Sequence, residues 1–271
     1  MERLATETYL NHLCHMDISS KGNVLITGGA QRIGATIASA LAADGWTVGV
    51  HHYRSSIAAE NLCKKLVSAG ADAYTVNADL SNEVGVATLI EQASANTPVT
   101  CLINNASVFE YDELSDVDRD SWDLHMDVNL WAPLRLSQAF SAGLPNDING
   151  NIINIIDQRV ENISPQFLSY TISKAGLWTL TKSLALTLAP RIRVNAIGPG
   201  PVLPSPRQTT KQFEAQASRM PMGHGAPASE IADGIFYILS ATSMTGQLIS
   251  LDGGQHLGWD FPDPNAPRVM E

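Results

Sequence analysis

The chain has 271 residues, of which 44% are hydrophobic, so it can bury a sizeable core, and α/β chains of this length commonly form one domain. Its formal net charge is −10 and its 17 basic residues are scattered, which argues against binding to nucleic acid or to an anionic membrane. The three cysteines lie in unrelated contexts, so we expect reduced thiols and a cytoplasmic protein without disulfides.

The two ends of the chain are predicted to be tails on either side of one domain. Residues 1–21 contain acidic Glu2 and Glu7 and lack an apolar run, so we expect neither a signal peptide nor a membrane span there. The cluster of His12, Cys14 and His15 has no second group of ligands, so no metal site is predicted. We expect the catalytic domain over residues 22–259 and a C-terminal tail over residues 260–271.

A glycine-rich turn stands between the first predicted strand, residues 23–27, and a helical pattern that begins near Ile33. Glycines at such a turn let the backbone approach a pyrophosphate at the positive end of the helix dipole, although similar turns also serve packing alone. The residues predicted to bind a dinucleotide here are Gly28, Gln31, Arg32, Ile33 and Gly34.

The second predicted strand, residues 46–53, leads into Tyr53, Arg54 and Ser55. An NAD site commonly carries an acidic residue in this region, because a carboxylate binds the ribose 2′-hydroxyl. An arginine beside hydroxyl groups suits the 2′-phosphate of NADP instead; the alternative is an exposed loop arginine. The sequence therefore favours NADPH as the cofactor.

Strands and helices alternate along the chain, with further strands predicted at residues 73–77, 99–103, 151–156, 193–197 and 247–251. The alternation predicts an α/β fold with a single Rossmann-like, doubly wound parallel sheet of about seven strands and helices on both faces. Ligands of such sheets bind at the carboxyl ends of the strands. The residues predicted to contact the cofactor beyond those strand ends are Asp79, Leu80, Asn105, Ala106, Ser107 and Gly200.

Tyr170 and Lys174 are four residues apart, so on a helix they share one face. A nearby ammonium lowers the pKa of a phenol, which would make Tyr170 a proton donor near neutral pH; the alternative is a solvated helix face. Asn129 lies in a second helical region, residues 116–142, where its amide either orders a water or bridges a kink in the helix.

Two further segments have distinctive composition. Residues 177–188 are apolar nearly all round, with only Lys182 charged, so one face of this helix covers the sheet and the other needs a partner. Residues 202–225 have few periodic signals, which favours a mobile flap over a pocket.

Five signals in this order resemble the short-chain dehydrogenase/reductase family over residues 22–259. They are the turn after Thr27, the run Asn104-Asn105-Ala106-Ser107, Asn129, Asp157, and Tyr170 with Lys174. The resemblance implies that Asn129, Asp157, Tyr170 and Lys174 form the catalytic group. It also implies that Lys174 holds the ribose of the cofactor and that the protein is a homotetramer.

Three departures from the general family pattern occur together: Arg32 and Ser107 replace glycines, and Asp157 replaces a serine. With Phe109 and residues 51–55, they resemble the pteridine reductase branch. That branch implies NADPH and a pterin or folate-like substrate, stacked by Phe109 against the nicotinamide. The residues implied to bind the substrate are Arg32, Ser107, Phe109, Asp157 and Tyr170.

Asp157 has a chemical consequence of its own. A serine hydroxyl donates a hydrogen bond to a carbonyl oxygen as charge develops there, whereas a carboxylate only accepts and repels that charge. Reduction of a C=N bond instead needs a proton on nitrogen, which Asp157 can relay through Tyr170. The structural alternative is that Asp157 merely caps a helix or pairs with Lys174.

The sequence thus predicts an NADPH-dependent reductase of dihydropterin or dihydrofolate C=N bonds. One alternative is an NADPH-dependent carbonyl reductase acting on 3-oxoacyl, sugar or ketone substrates. Another is a catalytically silent NADPH-binding sensor that has kept the fold.

Overall fold

The computed structural model describes residues 21–205 and 207–258. The predicted N-terminal tail up to residue 20, with the His12–Cys14–His15 cluster, and residues 259–271 lie outside these ranges. Within them the chain forms one seven-stranded sheet in the order β3-β2-β1-β4-β5-β6-β7. All neighbouring strands are parallel, which confirms the predicted doubly wound α/β sheet.

The strands lie within a few residues of the predicted positions, because short β-branched apolar runs are typical of strands buried on both faces. Asn154 of the fifth strand, for example, pairs with Ala196 of the sixth. The bounds are β1 Asn23–Ile26, β2 Thr47–His52, β3 Ala73–Asn77, β4 Val99–Asn104, β5 Gly150–Ile155, β6 Ile192–Pro199 and β7 Leu248–Leu251.

Helices cover both faces of the sheet. The bounds are α1 Arg32–Ala43, α2 Ser56–Ser68, α3 Glu83–Ala93, α4 Arg119–Met126, α5 Ala132–Gly143, α6 Leu168–Leu188, α7 Thr210–Ala217 and α8 Ala228–Ser240. One apolar cluster joins α1, α2 and α8 to the sheet, and a second joins α3, α5 and α6 to the opposite face. None of the helices in the described ranges is long and apolar enough to cross a membrane.

Two predicted helical features differ in detail. The helical region at residues 116–142 is interrupted between α4 and α5 by a π-helical segment, Asp127–Trp131, which contains Asn129. Residues 202–225 are not irregular throughout, because they contain α7. That helix begins with a capping box in which the Thr209 hydroxyl accepts from the Gln212 N–H and the Gln212 side chain accepts from the Thr209 N–H.

The imidazole of His51, at the end of β2, connects two loops at the carboxyl edge of the sheet. Its Nδ1 accepts a hydrogen bond from the Gly28 N–H at 3.0 Å, so the ring proton lies on Nε2, which donates to the Ala78 carbonyl at 3.1 Å. Burial lowers the pKa of His51 to about 4. The neutral ring therefore holds the glycine-rich turn and the loop after β3 in a fixed relation.

This depressed pKa predicts acid sensitivity of folding. An unfolded histidine binds a proton near pH 6.5, whereas folded His51 does so only near pH 4. The contribution of neutral His51 to the free energy of unfolding is therefore fully present above pH 6.5. It is lost as the pH falls towards 4, which lowers the free energy of unfolding by about 3 kcal/mol in total. Denaturant titrations of the wild type and His51→Gln should show a difference in unfolding free energy that shrinks over this interval.

The exposed histidine His224 supplies the matched control, since His224→Gln changes the same residue type outside the core. The unfolding free energy of His224→Gln should change with pH as that of the wild type does. If the unfolding free energy of His51→Gln falls as steeply between pH 6.5 and 4 as that of the wild type, His51 is not the source of the acid sensitivity.

Candidate active site

A cleft of about 500 Å³ opens at the carboxyl edge of the sheet, where the strand order reverses between β1 and β4. Almost all of the sequence-predicted site residues line it. These are Gly28, Gln31, Arg32, Ile33, Gly34, Tyr53, Arg54, Ser55, Asn105, Ala106, Ser107, Phe109, Asp157, Tyr170, Lys174 and Gly200. Asp79, Leu80 and Asn129 are not among the lining residues.

The glycine-rich turn is shaped for a close backbone approach. Gly28 has φ +61°, and a Cβ added at Gly34 would lie 2.3 Å from the Gly28 carbonyl oxygen. The Thr27 hydroxyl accepts from the N–H groups of Asn105 and Ala106, at 3.0 Å each, and so fixes the loop after β4 against the turn. The start of α1 therefore presents main-chain N–H groups to the cleft, an arrangement that fits the pyrophosphate of a dinucleotide.

The end of β2 carries the arginine predicted to select NADP. The Asn77 side chain donates to the carbonyls of His52 and Tyr53, at 3.1 and 2.8 Å, and fixes the backbone that leads to Arg54. Asp79 is near enough for the charge of Arg54 to act on it. Burial opposes ionisation of Asp79, but hydrogen bonds from Ser81 and the charge of Arg54 hold its pKa below the usual value.

The predicted contact of Leu80 with the cofactor stays a prediction. The Leu80 side chain is buried in the apolar cluster beneath α3 and α5, not in the cleft. Sequence position after a strand does not distinguish a side chain that faces a ligand from one that turns into the core.

The Tyr170 hydroxyl donates a hydrogen bond to Oδ2 of Asp157 at 2.8 Å. Burial raises the pKa of Tyr170 well above 10, and the neighbouring carboxylate of Asp157 raises it further. The expectation that Lys174 lowers this pKa is therefore wrong in this structure: the effects of burial and of Asp157 dominate. Tyr170 is a neutral phenol that is held as a donor.

Lys174 faces the cleft from one turn further along α6. Its Nζ donates to the Ile155 carbonyl at 2.9 Å and lies 5.8 Å from the centre of the Tyr170 ring. Burial lowers the pKa of Lys174 to about 8, with the charge of Asp157 acting in the opposite direction. Asp157 and Lys174 form no ion pair within 4 Å among the described residues, but Asp157 does cap the short helical turn that follows it, since its Oδ1 accepts from the Arg159 N–H at 2.8 Å.

Asn129 is fully buried and connects three segments. Its Oδ1 accepts from the Val108 N–H at 2.8 Å and from the Ser107 hydroxyl at 3.1 Å. Its Nδ2 donates to the Val108 carbonyl and the Ser173 hydroxyl, both at 3.0 Å. These contacts join the π-helical turn to the loop carrying Phe109 and to α6, and not across the helix kink as one prediction had it; the ordering of a water by Asn129 stays a prediction.

Phe109 lies in an aromatic group that the sequence did not reveal in full. Its ring stacks on Phe167, with centres 4.3 Å apart and planes at 9°, and the edge of Tyr170 lies 4.6 Å away. The guanidinium of Arg159 lies 5.0 Å from the Phe167 ring. Phe167 directly precedes α6 and has φ +57°, a conformation that no local sequence pattern predicts. Arg159 could have been identified from the sequence, because it lies only two residues after Asp157.

The segment after β6 closes one side of the cleft. Arg32, with φ +53°, donates to the carbonyls of Leu203 and Pro204 at 3.2 and 2.8 Å. Residues that the sequence missed also line the cleft: Gln208, Phe213 and Gln216 in this segment, and Gln255 after β7. Within the described ranges, no group of three His, Cys, Asp or Glu side chains is arranged to hold a metal ion.

Comparisons with known proteins agree with this geometry. Residues 28–256 match the short-chain dehydrogenase/reductase family model described as enoyl-(acyl carrier protein) reductase. The chain is 32% identical over 239 residues to an uncharacterised oxidoreductase of Methylorubrum extorquens, covering 85% of this chain and 96% of that protein.

Two solved structures are more similar in sequence. One is FolM alternative dihydrofolate reductase 1 from Brucella suis in complex with NADP, at 45% identity and a TM-score of 0.87, covering 90% of this chain and 98% of that one. The other is the Brucella canis protein with NADP, at 44% identity and a TM-score of 0.88, covering 91% and 98%. The chain therefore belongs to the short-chain dehydrogenase/reductase family, in its pteridine reductase-like branch.

Proposed function

We propose that the protein is an NADPH-dependent reductase of dihydropterin or dihydrofolate-type C=N bonds. The observation that carries this proposal is the hydrogen bond from Tyr170 to Asp157, which stands where a ketone reductase has a serine hydroxyl. The resemblance to two FolM alternative dihydrofolate reductases, both solved with NADP, supports the same substrate class and cofactor.

The cleft fits NADPH on grounds of shape and charge. Gly34 packs so closely against the Gly28 carbonyl and the Asn105 side chain that a Cβ has no room, which keeps the glycine-rich turn tight at the start of α1, where a pyrophosphate would bind. Arg54 and Ser55 lie at the same edge and supply a cation and a hydroxyl for the 2′-phosphate. Lys174, charged below its pKa of about 8, binds the nicotinamide ribose, and bound NADPH supplies the hydride for reduction.

A flat heterocycle fits beside Phe109. Phe167 occupies one face of the Phe109 ring, so we propose that the substrate stacks on the opposite face. Asp157, a hydrogen-bond acceptor when ionised, lies in the same cleft and accepts N–H groups from an aminopyrimidine-like edge. Arg32 and Ser107 complete the polar lining around that ring.

The proton for the substrate nitrogen comes from the Tyr170 hydroxyl. Burial raises the pKa of Tyr170, and the neighbouring Asp157 carboxylate raises it further, because a phenolate there would place two anions in hydrogen-bond contact. Tyr170 gives its proton to the substrate nitrogen, and Asp157, which contacts the phenol oxygen, relays a proton from solvent back to Tyr170. Asp157 and Tyr170 act as one acidic unit in this scheme.

Cofactor choice is tested at Arg54. NADPH should bind well over tenfold tighter than NADH, because one charge-assisted hydrogen bond contributes about 1.5 to 3 kcal/mol. Arg54→Asp should reverse the preference in fluorescence titrations, since a carboxylate repels the 2′-phosphate and binds the 2′-hydroxyl. Lys65→Asp, the same charge change at an exposed position of α2, should leave the preference unchanged. Equal affinity of the wild type for both cofactors would refute the assignment.

Substrate class is tested at Asp157. Asp157→Ser restores the ketone-type arrangement, so dihydropterin reduction should fall at least tenfold while activity on a simple diketone rises or stays. Asp157→Asn, which keeps the size and removes the charge, should also lose dihydropterin reduction.

Tyr170→Phe should abolish turnover, and Phe109→Ala should mainly raise KM. Initial rates at the NADPH absorbance measure all four variants.

The same assay, run on the wild type with a panel of dihydropterins and ketones, decides between the competing functions. A wild type that reduces ketones well and dihydropterins not at all is a carbonyl reductase. A wild type that binds NADPH and oxidises it with no member of the panel is a sensor.

We also propose a cytoplasmic homotetramer in which α6 and the helix before it pair across two-fold axes. In the single chain, Leu186 of α6 is 85% exposed and Ile172 is 40% exposed, apolar surface that pairing would cover. The free thiols of Cys63 and Cys101 support a reducing compartment.

Light scattering at micromolar protein should give a tetrameric mass. Leu186→Asp should lower that mass, because two-fold symmetry brings the introduced charges together. Val67→Asp, at an exposed apolar residue of α2, is the control and should leave the mass unchanged. A monomeric wild type would refute the proposal.

A further inference from the structure

A buried group of three polar side chains lies behind the cleft. Asp112, His125 and Ser169 are 2%, 0% and 0% exposed. None of them is among the cleft-lining residues, so the chemistry proposed above uses none directly. Burying a carboxylate and an imidazole is costly unless both are hydrogen-bonded, so the contacts they make need an explanation.

The contacts fix one tautomer of His125. The Glu110 N–H donates to Nε2 at 3.0 Å, so that nitrogen carries a lone pair and the ring proton lies on Nδ1. Nδ1 then donates to the Ser169 hydroxyl at 2.7 Å, and that hydroxyl donates to Oδ2 of Asp112. The neutral imidazole is the form in which every one of these hydrogen bonds has a donor and an acceptor.

Asp112 anchors the same group to the first turn of α6. Its Oδ1 accepts from the Ser169 N–H at 3.1 Å, and its Oδ2 also accepts from the Ser121 hydroxyl at 3.1 Å. Its main-chain carbonyl accepts from the Phe167 N–H at 2.8 Å. The carboxylate thus serves the start of a helix, where main-chain N–H groups favour a negative charge.

Both ends of this group adjoin residues of the active site. Glu110 follows Phe109 directly, and Ser169 precedes Tyr170 directly. The His125 and Tyr170 rings are 6.0 Å apart, and Tyr170 in turn contacts Phe109. One imidazole therefore connects the loop that carries the stacking ring to the helix that carries the proton donor.

We propose that neutral His125, with Ser169 and Asp112, is a positioning residue that sets Phe109 relative to the Tyr170 hydroxyl, and that protonation of His125 breaks its hydrogen bond to the Glu110 N–H and so loosens the position of Phe109. This rests on the proposed function only in placing the substrate beside Phe109. A protonated ring has N–H groups at both nitrogens, so Nε2 would face the Glu110 N–H with no acceptor between them. The loop then loses its hydrogen bond to His125 of α4, at the residue next to Phe109, while Asp112 and Asn129 continue to hold its other residues.

The surroundings of His125 decide when this happens. The charged groups that act on it are Asp112 and Glu110, which favour protonation, and Lys174, which opposes it. Burial has the largest effect and lowers the pKa of His125 below its ordinary value. The site is therefore assembled at neutral pH and loosens on acidification.

The amide of Glu110 reports directly on the attachment. In wild-type holoenzyme with NADPH, its hydrogen exchange should be slow at neutral pH and should lose protection on acidification, over the same interval in which substrate KM rises. The affinity for NADPH serves as the internal reference, because residues of this group do not line the cofactor cleft. These measurements need no variant. Glu110 exchange that stays protected while KM rises would overturn the proposal.

Two amide substitutions of His125 separate its contact with Glu110 from its contact with Ser169. His125→Gln places an acceptor near the position of Nε2 and retains the Glu110 contact, whereas His125→Asn places its amide near Nδ1 and loses that contact. His125→Asn should raise the substrate KM about tenfold and leave the NADPH affinity unchanged. His125→Gln should keep a KM near the wild-type value. That KM should not rise at acid pH, since the glutamine amide does not titrate.

KM is measured with whichever of a dihydropterin or a diketone the wild type reduces, so an error in the substrate class does not affect this test. Equal KM in both variants, or an acid rise that persists in His125→Gln, would assign His125 a purely structural role. If His125→Asn fails to bind NADPH, the pH profile of His125→Gln decides alone.

Discussion

The hydrogen bond between Tyr170 and Asp157 is the interaction on which the active site depends, because it brings together two elements distant in sequence. Asp157 lies just beyond β5, whose position is fixed by pairing with β4 and β6. Tyr170 lies on α6, whose first turn is held by Asp112. The parallel sheet supplies the rigid edge, and the helix delivers the phenol to it.

Burial is the common cause of the unusual titration behaviour around this site. It raises the pKa of Tyr170, lowers that of Lys174 to about 8, lowers that of His51 to about 4, and lowers that of His125. In each case the neutral form is favoured, as expected where charged groups lose their hydration. The cleft therefore keeps Tyr170 protonated as a donor, while the two imidazoles keep the lone pairs that accept main-chain N–H groups.

Sequence reasoning predicted the sheet and most of the cleft because both follow from local patterns. A short apolar run followed by a polar residue identifies a strand end, and strand ends of a parallel sheet meet at one edge; Asp157 and Asn105 were found in this way. It does not reveal side-chain direction or long-range contacts. The Leu80 side chain follows a strand yet turns into the core, and burial together with Asp157 sets the pKa of Tyr170, which the spacing from Lys174 alone does not show.

Phe167 and His125 show a second limit of the same kind. Their roles depend on partners far away in sequence, Phe109 for the one and Glu110 and Ser169 for the other. A bulky residue with positive φ carries no local signature, and a lone histidine in a polar helix resembles a surface residue until its burial is known.

The segment after β6 is held against the cleft by two arginines, Arg32 of α1 and Arg207 of the segment itself. Arg32 donates to the carbonyls of Leu203 and Pro204, and Arg207 donates to the Phe109 carbonyl and, at 2.5 Å, to the Glu110 carboxylate. A positive φ costs Arg32 about 1 to 2 kcal/mol, and two charge-assisted hydrogen bonds offset this even after discounting for solvent exposure. Three of these four acceptors are main-chain carbonyls, so the closure depends on the course of the backbone and on the two arginines more than on the other side chains that line the cleft, such as Phe213.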